Sequence, residues 1–347
     1  MKRIIVTLCA FALVAGAVSC KKEKIEPIEQ DPVPVYAEGV YHPVMKIATV
    51  NEDGVLIQEW NWVGDNLDKI TTPDGGATVY NYSGNYISKV SITGDQMEEL
   101  RYYYDESNKF AKCEIYYDGM LAVTMNLTHN AAGKLSGAEV LVEDSFLLSL
   151  AGNLLGGGSL FEQLVGRKAA ESMIMMAKLQ HANSPKFTMG NKEFSMTLEW
   201  NGENLSNQIL NGNASVILDT NDLNLLQMFI DIPEEYQGLI QMVMMLQGGL
   251  PLTLTLSDTI ACTYDTNYNP FFCNWGEIFS HRNLSLNNAL SMTNVGTVAI
   301  SASLMGQTMD LYKYPLNQYA EYQYQYNDKR YPTYVSSDTD IEYIYKQ

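Results

Sequence analysis

Tyr80-Asn-Tyr82-Ser-Gly84-Asn85-Tyr86-Ile87-Ser-Lys-Val90 is the stretch that decides the fold. Aromatics at i and i+2 leave one face of a strand, and Gly84-Asn85 supplies the positive φ that a tight turn requires. Tyr86 to Val90 then resumes the alternation, so the unit is a β-hairpin. It recurs. Trp60-Asn-Trp62-Val-Gly-Asp-Asn-Leu67-Asp-Lys-Ile70 precedes it, and Tyr102-Tyr-Tyr104-Asp-Glu-Ser-Asn-Lys-Phe110 and Leu127-Thr-His129-Asn-Ala-Ala-Gly-Lys-Leu135 follow. Fainter copies sit at Leu198-Glu-Trp200-Asn-Gly-Glu-Asn-Leu205, Tyr264-Asp-Thr-Asn267 and Tyr324-Gln-Tyr326-Asn-Asp-Lys-Arg-Tyr331-Pro332. Nothing in the unit is chemically reactive. It predicts architecture and leaves chemistry to be found elsewhere.

Working outward, Phe194-Ser-Met196-Thr-Leu198-Glu-Trp200 alternates cleanly and reads as a half-buried strand, as do Leu252-Thr-Leu254-Thr-Leu256 and Val298-Ala-Ile300-Ser-Ala302. At the end, Ile341, Tyr343 and Tyr345 share one face and Asp340 and Glu342 the other. Two stretches break the pattern. Residues 143–181 hold an apolar run, a Gly156-Gly157-Gly158 stop and a Ser159-Leu-Phe-Glu162 capping box. Residues 222–247 hold Pro233-Glu234-Glu235 and end before Gly248-Gly249. The expected fold is mostly β: an antiparallel meander of fourteen to eighteen strands curled toward a barrel, with two helical insertions. Their methionines, Met173, Met175, Met176, Met242, Met244 and Met245, are expected to pack on each other.

The first residues have their own logic. Lys2-Arg3, an apolar run from Ile4 to Val18 and a small residue before Cys20 read as a secretory signal, too short to span a bilayer. Ala17-Val18-Ser19-Cys20 resembles a bacterial lipobox, with Ala in place of the usual Leu three residues before the cysteine. The resemblance implies cleavage after residue 19 and a lipid anchor on Cys20. Residues 20–34, charged and proline-rich, then form a flexible tether, and 35–347 form a single β unit.

Composition narrows the function. The 347-residue chain carries a formal charge of −18, which repels phosphate backbones, and no basic stripe interleaves with aromatics, so nucleic acid is disfavoured. Membrane contact is expected only through the lipid on Cys20. Of five cysteines, Cys113, Cys262 and Cys273 remain after Cys9 and Cys20 are set aside; either Cys262–Cys273 is bridged or all three are buried thiols.

No catalytic, cofactor or metal motif emerges. His42, His129, His181 and His281 lie in separate segments without ligand spacing and read as surface or turn residues. Asp265-Thr-Asn267-Tyr-Asn269 begins like a calcium loop, but Pro270 stands where the sharp-turn glycine belongs, so an Asx-turn is the better reading. Glu98-Glu99 point to opposite faces if they lie on a strand, which denies them the paired geometry of a glycosidase. The rows Trp60/Trp62, Tyr80/Tyr82 and Tyr102/Tyr104 read as core. Tyr322, Tyr324 and Tyr326, with glutamines between them, suit either core or a sugar-stacking platform, and are the candidate ligand residues.

Tyr264-Asp-Thr-Asn-Tyr-Asn-Pro270-Phe, Leu284-Ser-Leu-Asn287-Asn288-Ala and Tyr322-Gln-Tyr-Gln-Tyr326-Asn-Asp-Lys-Arg-Tyr-Pro332-Thr together resemble the closing motifs of uncharacterised Bacteroidota lipoproteins. That family is described as a domain of unknown function with a porin-like fold; YD-repeat proteins share some of its motifs. The resemblance implies an antiparallel meander on a lipid anchor, at the periplasmic or surface face of the outer membrane, with no assigned catalytic residue. The function expected is a binding module for a glycan, peptide or lipid fragment. An envelope assembly component with a protein partner is the alternative, and a hydrolase the outsider.

Overall fold

A computed structural model describes residues 34–93, 98–144, 187–218, 250–276, 280–304 and 307–346. The signal, most of the tether, Cys20 and nearly all of both expected insertions, with their methionines, lie outside the described residues. Eighteen strands form one antiparallel sheet. They are β1 Ile47–Glu52, β2 Val55–Val63, β3 Asn66–Thr71, β4 Ala77–Ser83, β5 Tyr86–Thr93 and β6 Glu98–Tyr104. Next come β7 Phe110–Tyr117, β8 Met120–His129, β9 Leu135–Val142, β10 Phe187–Asn201, β11 Asn204–Leu218 and β12 Leu250–Tyr268. A short helix, α1 His281–Leu284, precedes β13 Asn287–Leu304, β14 Gln307–Pro315, β15 Gln318–Glu321, β16 Gln323–Tyr326, β17 Pro332–Ser336 and β18 Asp340–Tyr345.

From β1 to β14 and from β16 to β18 each strand pairs with its sequence neighbour, and β18 returns to β1, so the sheet curls right round. It is not sealed into a barrel. β14 and β15 both pair with β13, and Tyr322 is the point where the chain leaves β13 for β17. Above the short β17 and β18, the far edge of β14 and β15 has no partner strand among the described residues. Strands β10 to β13 run 15 to 19 residues, against 4 to 10 for every other strand, so they form a blade rising roughly 20–30 Å past their short neighbours.

The quoted units explain the curl. In β2, β4, β6, β8, β10 and β16 the register slips one or two residues before the turn, at Asn61/Trp62, Asn81/Tyr82, Tyr103/Tyr104, Thr128/His129, Glu199/Trp200 and Gln325/Tyr326. A bulge increases local twist, and one repeated at the same place in each hairpin bends the sheet always the same way. The bulged aromatic then reaches sideways: Trp62 donates to the Ile47 carbonyl, Tyr82 to Leu67, Tyr104 to Ile87 and Trp200 to Leu135, at 2.6 to 2.8 Å. The acceptor side chains, Ile47, Leu67, Ile87 and Leu135, are completely buried. Gly64, Gly84 and Gly202 hold the positive φ that these turns demand.

The expected core rows are core: Trp60, Tyr80 and Tyr102 are buried, with Trp62, Tyr82 and Tyr104 packed against them. Outward faces carry Lys89, Glu99 and Arg101, then Lys112 and Glu114, as ion pairs. On the blade the outward face is Thr253, Thr255, Ser257 and Thr259, behind the inward leucines. This is the reverse of a lipid-facing barrel wall, where the apolar band points out.

A plug fills the end where the bulged turns cluster. It is built from residues 34–46, 269–276 and 280–286, and Trp275, Tyr41 and Leu284 are buried in it. Tyr41 donates to the Pro270 carbonyl at 2.7 Å, Tyr80 to Asn274 at 3.0 Å, Tyr102 to the Trp275 carbonyl, and Trp275 to Ala37 at 3.2 Å. Gly39 lies so close to the Tyr104 ring that a Cβ would overlap its hydroxyl.

Candidate site inside the sheet

The interior above the plug is where inward-facing side chains keep contact with solvent. Its floor is Phe271 and Arg282. The short helix α1 places the Arg282 guanidinium 3.4 Å over the Phe271 ring, and Nη2 donates to the Tyr343 hydroxyl at 3.2 Å. Arg282 is half-buried and forms no ion pair among the described residues. Its charge is felt at Tyr41, Tyr322, Tyr324 and Tyr345, whose hydroxyls burial otherwise holds well above the usual phenol range. Beside it, burial and the Arg282 charge lower the His281 imidazole to about 4.

Tyr322 and Tyr324 form one wall, half-buried, with ring centroids 6.4 Å apart; Tyr324 and Tyr326 are stacked at 5.8 Å. All three point inward and the intervening glutamines outward. Their hydroxyls are engaged to different ends: Tyr324 donates to the Ala289 carbonyl at 2.8 Å and Tyr326 to Asp265. Only Tyr322 and Tyr324 therefore lie on the path upward from Arg282. Above them Ile260, Met292 and Ala320 form a small second core, with Cys262 half-buried against it. Burial pushes the Cys262 thiol up to about 12.

Across the blade at the next level runs a row that sequence reading missed. Gln208, Ile260, Asn294 and Gln318 stand opposite one another on β11, β12, β13 and β15, and Asp258 lies one inward position further along β12. Asp258 and Asn294 are 6% and 2% exposed, which makes them buried polar groups on an apolar face. Among the described residues, one oxygen of each, and the Gln318 carbonyl oxygen, has no hydrogen-bond partner. Burial raises the Asp258 carboxyl, against a bond from Asn294 that lowers it. Gly296 opposite makes room for it, since a Cβ there would stand 2.5 Å from Asp258 Oδ1. The signal was present: Leu252, Leu254, Leu256, Asp258 and Ile260 share one parity, and an acid in that series breaks it.

Other sequence-stated candidates resolve into structure. Asp265 accepts from the Asn267 amide at 2.9 Å, an Asx-turn as expected, and also from the Asn288 amide at 3.1 Å. Cys113, Cys262 and Cys273 are free thiols. Two histidines correct the surface or turn reading. His129 Nε2 lies 3.0 Å from Glu38, whose side chain is wholly buried, and His281 is half-buried beside Arg282. The His129 role was not legible because Glu38 is distant in sequence, and the His281 role because its burial depends on the fold around α1. Among the described residues no group of three His, Cys, Asp or Glu side chains is placed to hold a metal.

The class these features define is an antiparallel sheet curled round a packed plug. No protein-family model matches the chain, and no curated protein does. Among solved structures it is similar to one described as a porin-like protein from Bacteroides uniformis, with 10% identity over 89% of this chain and 100% of that one, at a TM-score of 0.27.

Proposed function

We propose that this chain is a binding module of the bacterial cell envelope that takes a small amphipathic ligand on the inner wall of its blade. The observation that carries the reading is a contrast along one interior. At plug level Trp60, Tyr80, Tyr102 and Phe110 are buried, whereas higher up the same interior Tyr322, Cys262, Leu254 and Leu256 are only partly buried, around the buried Ile260, Met292 and Asn294. Exposed apolar side chains lining a concavity are the usual mark of a ligand site. Of glycan, peptide or lipid fragment, the leucine wall suits a lipid fragment or apolar peptide best.

The envelope setting rests on the lipobox-like residues before Cys20 and on the resemblance to Bacteroidota lipoproteins. Anchored there, the tether joins the folded part at Pro34, beside the plug.

Titration of the purified protein with the neutral dye N-phenyl-naphthylamine tests the reading. Saturable fluorescence enhancement is expected, weakened at least tenfold by inward Leu254→Asp and unchanged by outward Thr255→Asp. No enhancement, with a fixed protein co-purifying from envelope extracts, would favour an assembly component instead.

A further inference from the structure

We propose that Arg282 and Tyr343 hold the anionic head of the ligand, a carboxylate or phosphate ester carried on an apolar chain. This rests on the binding reading above and adds the charge of the ligand to it. A guanidinium has five N–H donors and cannot shed its proton. Here only one bond, to the Tyr343 hydroxyl, is made to a described residue, and the Phe271 ring covers one face. Withdrawing a cation from water without a counter-ion is costly, and a cation–π contact offsets only part of that cost.

Among the described residues no carboxylate forms an ion pair with Arg282. Asp258 lies four residues up β12 from Cys262, roughly 13 Å further along the strand. Asp338, whose charge reaches Tyr322, forms no ion pair with Arg282. Tyr343 accepts the Arg282 proton and keeps its own hydroxyl proton to give. Two donors thus converge at the floor, beneath the rings of Tyr322 and Tyr324 and the apolar wall of Ile260 and Leu256. An anion seated there gains a charge-assisted pair in a half-desolvated site, where such pairs are strongest. In a chain of charge −18, this attraction is local and works against the overall field.

Calorimetric titration of the full chain with decanoate, decyl phosphate and decanol tests the assignment. At least one anion should bind tenfold or more tighter than decanol. Arg282→Gln should bring that anion to the decanol level, and Tyr343→Phe should remove about threefold. Whichever of decanoate and decyl phosphate binds tighter names the head group. Equal binding of all three overturns the inference and leaves the binding reading standing, as does a preference that survives Arg282→Gln. Binding of none overturns both. Should Arg282→Gln melt early, Tyr343→Phe at unchanged melting temperature decides, and an undiminished preference there sinks the inference.

Discussion

The Tyr82 hydroxyl donates to the Leu67 carbonyl at 2.8 Å, fifteen residues back and one hairpin over. Trp62 to Ile47 repeats it at the same spacing, so the bond belongs to the repeat and is not a local accident. Each such bond fastens a bulged strand end to the neighbouring unit, where a ladder bond is missing. Tyr82→Phe keeps the ring and removes only the bond, leaving a partly buried carbonyl; a loss of about 1 kcal/mol is expected in urea unfolding. Tyr82→Ala should cost about 3 kcal/mol, because the ring is lost too.

Where the fourth unit has His129 in place of the bulged aromatic, Glu38 of the plug takes over. It accepts from the Phe110 amide at 2.7 Å, pairs with His129 at 3.0 Å and lies 3.7 Å from Lys109. Glu38→Ala strands a buried N–H and an imidazole together, and a loss of about 3 kcal/mol is expected. Glu38→Gln, which keeps the Phe110 bond, should lose less. Limited proteolysis should cut near Tyr41 in Glu38→Ala and spare the parent protein.

The His281 imidazole titrates at about 4 in the folded chain against 6.5 ordinarily. Between those values the unfolded chain holds the extra proton, so the stability this group contributes is present above pH 6.5 and lost as pH falls to 4. A shift of that size corresponds to about 3 kcal/mol at most. His281→Gln should flatten the fall in melting temperature across that window, relative to the parent; parallel curves would remove the group from the account.

Asp258 has the opposite sign. Its carboxyl is raised by burial, so the folded chain holds the proton longer and stability falls as pH rises from the ordinary carboxylate value through the folded one. Asp258→Asn should therefore raise the melting temperature at neutral pH, with the gain vanishing in acid. A lower melting temperature at neutral pH would mean that the ionised carboxylate has a partner.

Much of the curl was legible in the sequence because it is local. Glycine turns, paired aromatics and period-two alternation each act within a dozen residues, and Ile341, Tyr343 and Tyr345 face inward as their spacing requires. The plug was not legible: Trp275 meets Ala37 and Tyr80 meets Asn274 across some two hundred residues, and no periodicity encodes that. The site was half legible. Tyr322 and Tyr324 stood out as a row, but Arg282 became notable only when the fold set it among tyrosines, with no ion pair among the described residues.

The central claim is that the interior is packed at the plug and partly accessible along the wall above it, and the three free thiols sample both levels. Cys113 and Cys273 are buried in the plug core, and Cys262 is half-exposed on the wall above. Thiol modification of the native protein at pH 9 with methyl methanethiosulfonate, which leaves a methyl disulfide and releases methanesulfinate, mapped by peptide mass, measures that difference directly. Modification is predicted at Cys262, slowed at least tenfold by saturating decanoate or decyl phosphate, with Cys113 and Cys273 untouched. A Cys262 as inert as the other two, or one that no amphiphile protects, would contradict the account.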